Sequence, residues 1–439
     1  MPNVTPIPRK QYRNILGFYS NSCFRIEINT NVSFGYMSDE DYSVLAHEYI
    51  HFLQDISTTY GASNAYALSE FIKSAAEAIR QSPDGSIKVP YAPEPAADNV
   101  FANFYVRSFT YGSYEEIDEI VEILELRNLK EELESSDLNS IPEIQIDVVD
   151  GTGTEQTITF GACAVMESMA YMMERYIAPI QTLAPDFPYS IAEKVVQAHY
   201  PEFGSDPLNV IALCDASLLT SAPGHTFVCH VVEFKEDGWL PVTPEDVYRR
   251  VLDAGYNVRG SSPCMRTYEE EMEEMRQLAI NSIETYFNSS MVKYRKWIEE
   301  TFNRGFALRI EKPYFMLDIA RGGNFRHNPF IKFLLEKFVG TPIMTNPRAE
   351  ATIKSPNVHF DSDFFLFPAV GQILKLFESG DCCCELKPIC TTMGGPVDDK
   401  CDTEPWTHLV KLPPLCPYSL LWHNWNFARC KPVITSNNP

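Results

Sequence analysis

Val44-Leu45-Ala46-His47-Glu48-Tyr49-Ile50-His51-Phe52-Leu53 is the stretch on which the reading of this chain turns. It contains His-Glu-x-x-His. On a helix, residues four apart lie one turn apart on the same face, so the imidazoles of His47 and His51 can reach one metal ion together. Glu48 stands beside the first of them and can take a proton from a water at that ion without itself being a ligand. Leu45, Tyr49, Phe52 and Ile56 form an apolar stripe on the side away from the histidines, so one face packs while the other presents ligands. The plainer alternative is two histidines that fall one turn apart by accident. With 9 His in the chain, a chance His-Glu-x-x-His is expected on the order of 0.01 times.

The flanks support a helix. Ser38 can cap free amides, and Asp39, Glu40 and Asp41 sit where the positive end of the helix dipole favours acids, which predicts a helix over about 39–59. Upstream, Cys23-Phe24-Arg25-Ile26-Glu27-Ile28-Asn29 alternates apolar and polar residues and predicts a half-buried strand running on toward Phe34 and Tyr36. Downstream, a second helix fits 63–82, and the Pro, Gly and Ala of 82–99 predict a surface loop. Residues 114–137 carry ten acids and two bases, and Ile117, Val121 and Leu124 keep a helical spacing. A helix with a solvated acidic face is expected there, with an acidic docking surface as the alternative. Ile144–Val149 and Gln156–Phe160 flank Asp150-Gly151-Thr152-Gly153, a hairpin pattern. A helix follows from about Ala162 to Tyr176, and the chain reads as mostly helical to about 340, with a clear start at Thr243-Pro244-Glu245-Asp246. Residues 267–304 fit one long helix or two in series; 341–439 is rich in Pro and Cys, with one helix near 368–379.

The ten quoted residues resemble the longer signature of the zincin metallopeptidases. That signature wants Val or Thr three residues before the first His, uncharged residues around the ligands, and an apolar residue two after the second His. Val44 and Leu53 meet the first and last conditions. The match covers ten of 439 residues, so it identifies a site and not a close relative. The elements along the chain predict a helix-rich α+β fold, and the resemblance adds what its first part would be. A zincin-like catalytic lobe would occupy residues 1–180, with a small sheet whose strand runs along the cleft edge beside the metal helix; residues 23–36 fit that strand. A helical region over 181–340 and a Pro/Cys-rich region over 341–439 would follow, a division that also fits one compact unit.

The resemblance also implies one catalytic zinc and hydrolysis of a peptide or protein substrate, with Glu48 as general base. Gln54 and Ser57 stand where the metzincin branch has its Gly and third His. The gluzincin branch instead draws a Glu from a later helix. Glu167 is chosen, a lone carboxylate among Cys163, Ala164, Val165, Met166, Met169 and Ala170, where an unpaired charge is costly. The spacing of Glu167 and Ala170 resembles the gluzincin ligand helix, but Tyr171 replaces the usual Asp or Asn. Asp55 is then a substitute orienter for a ligand histidine. Glu174 is the second choice of third ligand, and pairing of Glu167 with a buried Arg or Lys is the alternative to metal binding. Tyr171, His225 and His230 are the candidate donors to a transition-state oxyanion.

Lys plus Arg is 36 and Asp plus Glu is 59, a net charge of −23. Such a chain repels phosphate backbones and anionic lipid, so neither nucleic acid nor a membrane is an expected partner. No apolar run reaches 18 residues and Met1–Thr5 has no signal-peptide pattern, so a cytoplasmic location is expected. Seven of the 12 cysteines fall between Cys382 and Cys430. In that compartment they are expected as reduced thiols, as ligands of a second, structural metal, or as a latency device occupying the active metal. No C-x-x-C pair supports the metal option. Two rival functions remain. A di-iron site would use Glu48-x-x-His51 but needs a second such motif, which the other helices lack. A catalytically silent zincin-fold protein, binding or regulatory, is opposed by the intact Glu48. A regulatory partner for the enzyme also fits.

Overall fold

The fold is a helix-rich α+β arrangement in a computed structural model describing residues 16–20, 22–93, 110–127, 143–180, 183–253, 256–258, 264–284, 292–348, 350–356, 366–392, 394–408 and 416–435. The histidine helix, Asp39–Ser57, starts where its cap chemistry dictates. The Ser38 hydroxyl accepts from the Asp41 N–H (3.1 Å), and the Asp41 carboxylate accepts from the Ser38 N–H (2.8 Å). Thr58 then caps a second helix, Thr59–Gln81. From Ser43 to Ser57 every residue of the histidine helix is buried, not only the apolar stripe. It is enclosed by the glutamate helix (Ala162–Ile177), by the helix Val292–Glu311 and by the first strands. Gly305 permits the close approach of Val292–Glu311, because a Cβ there would lie 2.1 Å from the Ile56 carbonyl oxygen.

The first strands belong to a four-stranded sheet in the order Gly17–Ser20, Arg25–Ile28, Ile343–Thr345, Ala351–Thr352, with Gly17–Ser20 at one edge. The outer pairs are antiparallel and the central pair parallel. A three-stranded antiparallel sheet joins Ile120–Arg127, Gln145–Asp150 and Glu155–Thr159, the last two as the expected hairpin. Lys431–Ile434 pairs in parallel with Ser86–Val89 and ties the end of the chain to the turn after the second helix. One hydrophobic core runs from Tyr19 to Cys430.

Several expectations are corrected. The acidic segment is not a helix where it is described: Ile120–Arg127 is a strand. Register shifts interrupt its pairing at Ile120/Glu122 and Ile123/Glu125. Ile120, Ile123 and Leu126 are its less exposed residues, whereas Val121 and Leu124 face out. Bulges thus replace the two-residue period of a strand with three, which imitates a helix. Residues 128–142 lie outside the described part. Within the expected loop 82–99, Ser86–Val89 is a strand, and 94–99 is not described. The expected strand after Cys23 stops at Ile28, and Phe34–Tyr36 is a turn of 3-10 helix. The segment 267–304 takes the second of its two expected forms, two helices in series, Tyr268–Glu284 and Val292–Glu311. The C-terminal region holds Leu366–Ser379 as expected, and also the short helices Lys387–Thr392, Lys400–Thr403 and Pro417–Asn424. Among the described residues, no helix is long and apolar enough to cross a membrane.

Candidate metal centre

The histidine and glutamate helices pack face to face, and their polar side chains meet. His47 Nε2 and His51 Nε2 lie 3.2 Å apart, and each is 3.3 Å from Glu167 Oε2. All three residues are buried, Glu167 to 2% exposure. The outer nitrogens of both rings are also engaged. His51 Nδ1 donates to Gln54 Oε1 at 2.8 Å, and the Gln54 amide nitrogen in turn donates to the Met166 carbonyl. His47 Nδ1 faces Glu174 Oε2 at 3.5 Å. A proton on each Nδ1 would leave each Nε2 with a lone pair turned toward Glu167.

Two imidazole lone pairs and a carboxylate oxygen crowded at one buried point repel one another unless a cation sits among them. The set of two His and one carboxylate suits zinc, with a fourth position left for water or substrate. His47, His51 and Glu167 therefore fit the metal that the spacing called for. Glu174, the second choice as ligand, instead stands behind His47. Gln54 stands behind His51 in the same way. Glu174 was read from the sequence only as a ligand candidate, and Gln54, one turn from His51, was not singled out as its partner.

The bonds seen at Asp55 run to the first strand. Asp55 Oδ2 accepts from the Tyr19 hydroxyl (2.8 Å) and the Ser22 N–H (2.7 Å), fastening the first strand to the histidine helix. The result is a close approach: a Cβ on Gly17 would lie 2.2 Å from Val44 Cγ1 and 3.3 Å from Glu48 Cγ. Gly17–Ser20, rather than any part of 23–36, is thus the edge strand beside the general-base candidate.

The aromatic partner of the site is Tyr189, which the sequence reading missed. Its ring centroid lies 5.9 Å from that of His47, and the Tyr171 ring meets Tyr189 at 6.0 Å. Burial, then the nearby Glu48 carboxylate, pushes the Tyr189 phenol well above its ordinary range, so it stays a hydrogen-bond donor at neutral pH. The Ser168 hydroxyl holds the turn that carries it, donating to the Pro188 carbonyl (2.9 Å) and accepting from the Ala192 N–H (3.1 Å). The two histidines singled out as oxyanion donors have local partners. His225 Nε2 meets Cys229 Sγ at 3.4 Å, and His230 Nδ1 donates to the Thr226 carbonyl at 2.7 Å while its ring packs on Phe234. The Tyr189 ring packs against His47.

Behind the site, Arg309 and Asp215 form a fully buried ion pair at 2.7 Å. Arg309 also donates to the Ser57 carbonyl (3.1 Å), and Tyr248 donates to Asp215 (2.7 Å). These bonds brace the last turn of the histidine helix against three other helices.

A second group of metal-binding type lies in the C-terminal region, where Asp398, Cys401 and His408 offer ligand atoms within 4.8 Å of one another. Comparison with known proteins leaves the chain on its own terms: no family model matches it, and no curated protein or solved structure is significantly similar.

Proposed function

We propose that this chain is a zinc-dependent hydrolase of peptide bonds, with zinc held by His47, His51 and Glu167. The observation that carries the reading is the convergence of their three ligand atoms within 3.3 Å of one another beside Glu48. When bound there, zinc polarises the scissile carbonyl and makes a water acidic enough to lose a proton near neutral pH. Glu48 takes that proton and returns it to the leaving amine. The protonated Tyr189 phenol donates to the oxyanion that develops on the carbonyl. Glu174 and Gln54 keep the imidazoles turned so that their Nε2 lone pairs point inward.

Peptide as the substrate class is supported by Gly17–Ser20. Among the described residues it pairs on one side only, with Arg25–Ile28. An extended peptide adding to its other edge would pass Glu48.

Glu48→Gln tests the reading, since it removes the base while leaving the ligands. Protein carrying that change should hold as much zinc as wild type and fail to cleave a library of unstructured peptides that wild type cleaves. Equal behaviour of the two proteins on every peptide would leave a metal-binding protein without turnover.

A further inference from the structure

Away from the histidine helix, Asp398, Cys401 and His408 bring a carboxylate, a thiol and an imidazole to one point of the C-terminal region. Cys401 lies in the short helix Lys400–Thr403, and His408 follows the single turn Pro405–Thr407. The Cys401 N–H donates to the Asp398 carbonyl at 3.1 Å, so one turn of chain sets these two residues side by side. The Lys400 N–H donates to Asp398 Oδ1 at 2.9 Å and fixes that carboxylate. The turn before His408 is held from the other end, where the Ser419 hydroxyl donates to the Pro405 carbonyl at 2.8 Å. Cys401 and His408 are buried, while the Asp398 side chain is 54% exposed.

We propose that Asp398, Cys401 and His408 hold a zinc ion, with water in the fourth position on the side where Asp398 meets solvent. The separations match that ion. His408 Nε2 lies 3.5 Å from Cys401 Sγ and 3.3 Å from Asp398 Oδ1, and the three ligand atoms all lie within 4.8 Å of one another. Zinc takes thiolate sulfur at about 2.3 Å and imidazole nitrogen or carboxylate oxygen at about 2.0–2.2 Å. At tetrahedral angles those lengths set sulfur about 3.5 Å from nitrogen, and nitrogen about 3.4 Å from oxygen.

Hydrogen bonding alone serves the group poorly, because one ring nitrogen faces both partners. With a hydrogen on Nε2, sulfur and carboxylate must share it in bent bonds. Without one, the nitrogen lone pair faces the Asp398 oxygen across 3.3 Å. The same arrangement excludes a Cys–His–Asp nucleophile, in which thiol and carboxylate take opposite ring nitrogens. A cation at the common centre accepts a lone pair from each ligand, and one thiolate with one imidazole and one carboxylate suits zinc. The ion also has something to hold. A helix as short as Lys400–Thr403 does not persist by itself. The Cys384 N–H donates to the Cys401 carbonyl at 2.7 Å, so fixing Cys401 also fixes the chain that follows Leu366–Ser379.

The test uses the full chain with His47→Ala and His51→Ala, so that this ion is read apart from the proposed catalytic one. That protein should keep about one zinc per chain. Replacement by cobalt should give the charge-transfer band of a thiolate–cobalt bond, which a site of two His and one Glu cannot produce. Cys401→Ser should abolish the band. Asp398→Ala, at an exposed position, should release the ion and leave the circular dichroism of the fold unchanged. If the His47/His51 or Cys401 variants do not fold, the band in otherwise wild-type protein and its loss in Asp398→Ala still decide. A folded chain without a thiolate band at saturating cobalt would overturn the proposal. So would a band that survives either Cys401→Ser or Asp398→Ala undiminished.

Discussion

Glu174 Oε2 lies 3.5 Å from His47 Nδ1, on the ring edge opposite the nitrogen that faces Glu167. One helix thus supplies both the carboxylate that converges with the histidines and the carboxylate that orients one of them. The two are seven residues apart, which returns them to the same helical face. Replacing Glu174 by Gln keeps the shape and removes the charge. Zinc affinity should fall about 10- to 100-fold, measured by competition with a chelator. Gln54→Ala should act similarly through His51. Unchanged affinity in both would mean that these contacts do not hold the rings.

Tyr189→Phe removes a donor without a change of volume. It should lower kcat by about 10²- to 10³-fold with KM nearly unchanged, and leave zinc content at the wild-type level. A loss confined to KM would assign the phenol to substrate binding instead. Tyr171→Phe should cost less if Tyr171 acts only through its ring contact with Tyr189.

Gly17→Ala tests the edge strand. Its new Cβ would meet Val44 Cγ1 at 2.2 Å, so the strand or the Val44 side chain must shift, and Glu48 Cγ at 3.3 Å is crowded with it. Turnover should fall while the zinc content is kept. Activity equal to wild type would show that the approach of Gly17 to Glu48 does not matter to the reaction.

Asp215 and Arg309 should matter to stability rather than to chemistry. Arg309→Met leaves a carboxylate buried without its cation and should cost about 3–5 kcal/mol in denaturant unfolding. The brace also has a pH limit. Burial, and then the Asp215 charge, raises the Tyr248 phenol well above 10.0. Its contribution is therefore complete below pH 10.0 and is lost as pH climbs toward the raised value. Tyr248→Phe should remove part of the alkaline loss of stability and leave acid unfolding unchanged.

How much of this was legible in the sequence follows from how local each feature is. The histidine helix was readable because its cap, its acids and its i, i+4 histidines lie within twenty residues. Glu167 was readable as a charge in an apolar helix. Glu174 was noticed, but its role depends on which ring nitrogen it meets, and no spacing reveals that. Tyr189 reaches His47 only because Ser168 fixes the turn after the glutamate helix. Gly17–Ser20 is four residues long and opens with glycine, too short for alternation to register. Ile120–Arg127 misled for the opposite reason, since its bulges made a strand keep a helical period. The cysteines were visible as a composition; that Cys401 stands with Asp398 and His408 needed the fold.

The central claim is that zinc sits among His47, His51 and Glu167. Anomalous diffraction at the zinc edge tests it most directly, on crystals of zinc-loaded protein. The account predicts a peak about 2.0–2.2 Å from both Nε2 atoms and from a Glu167 carboxylate oxygen, absent from His47→Ala crystals. A well-ordered site with no anomalous density between those three side chains at saturating zinc would contradict it.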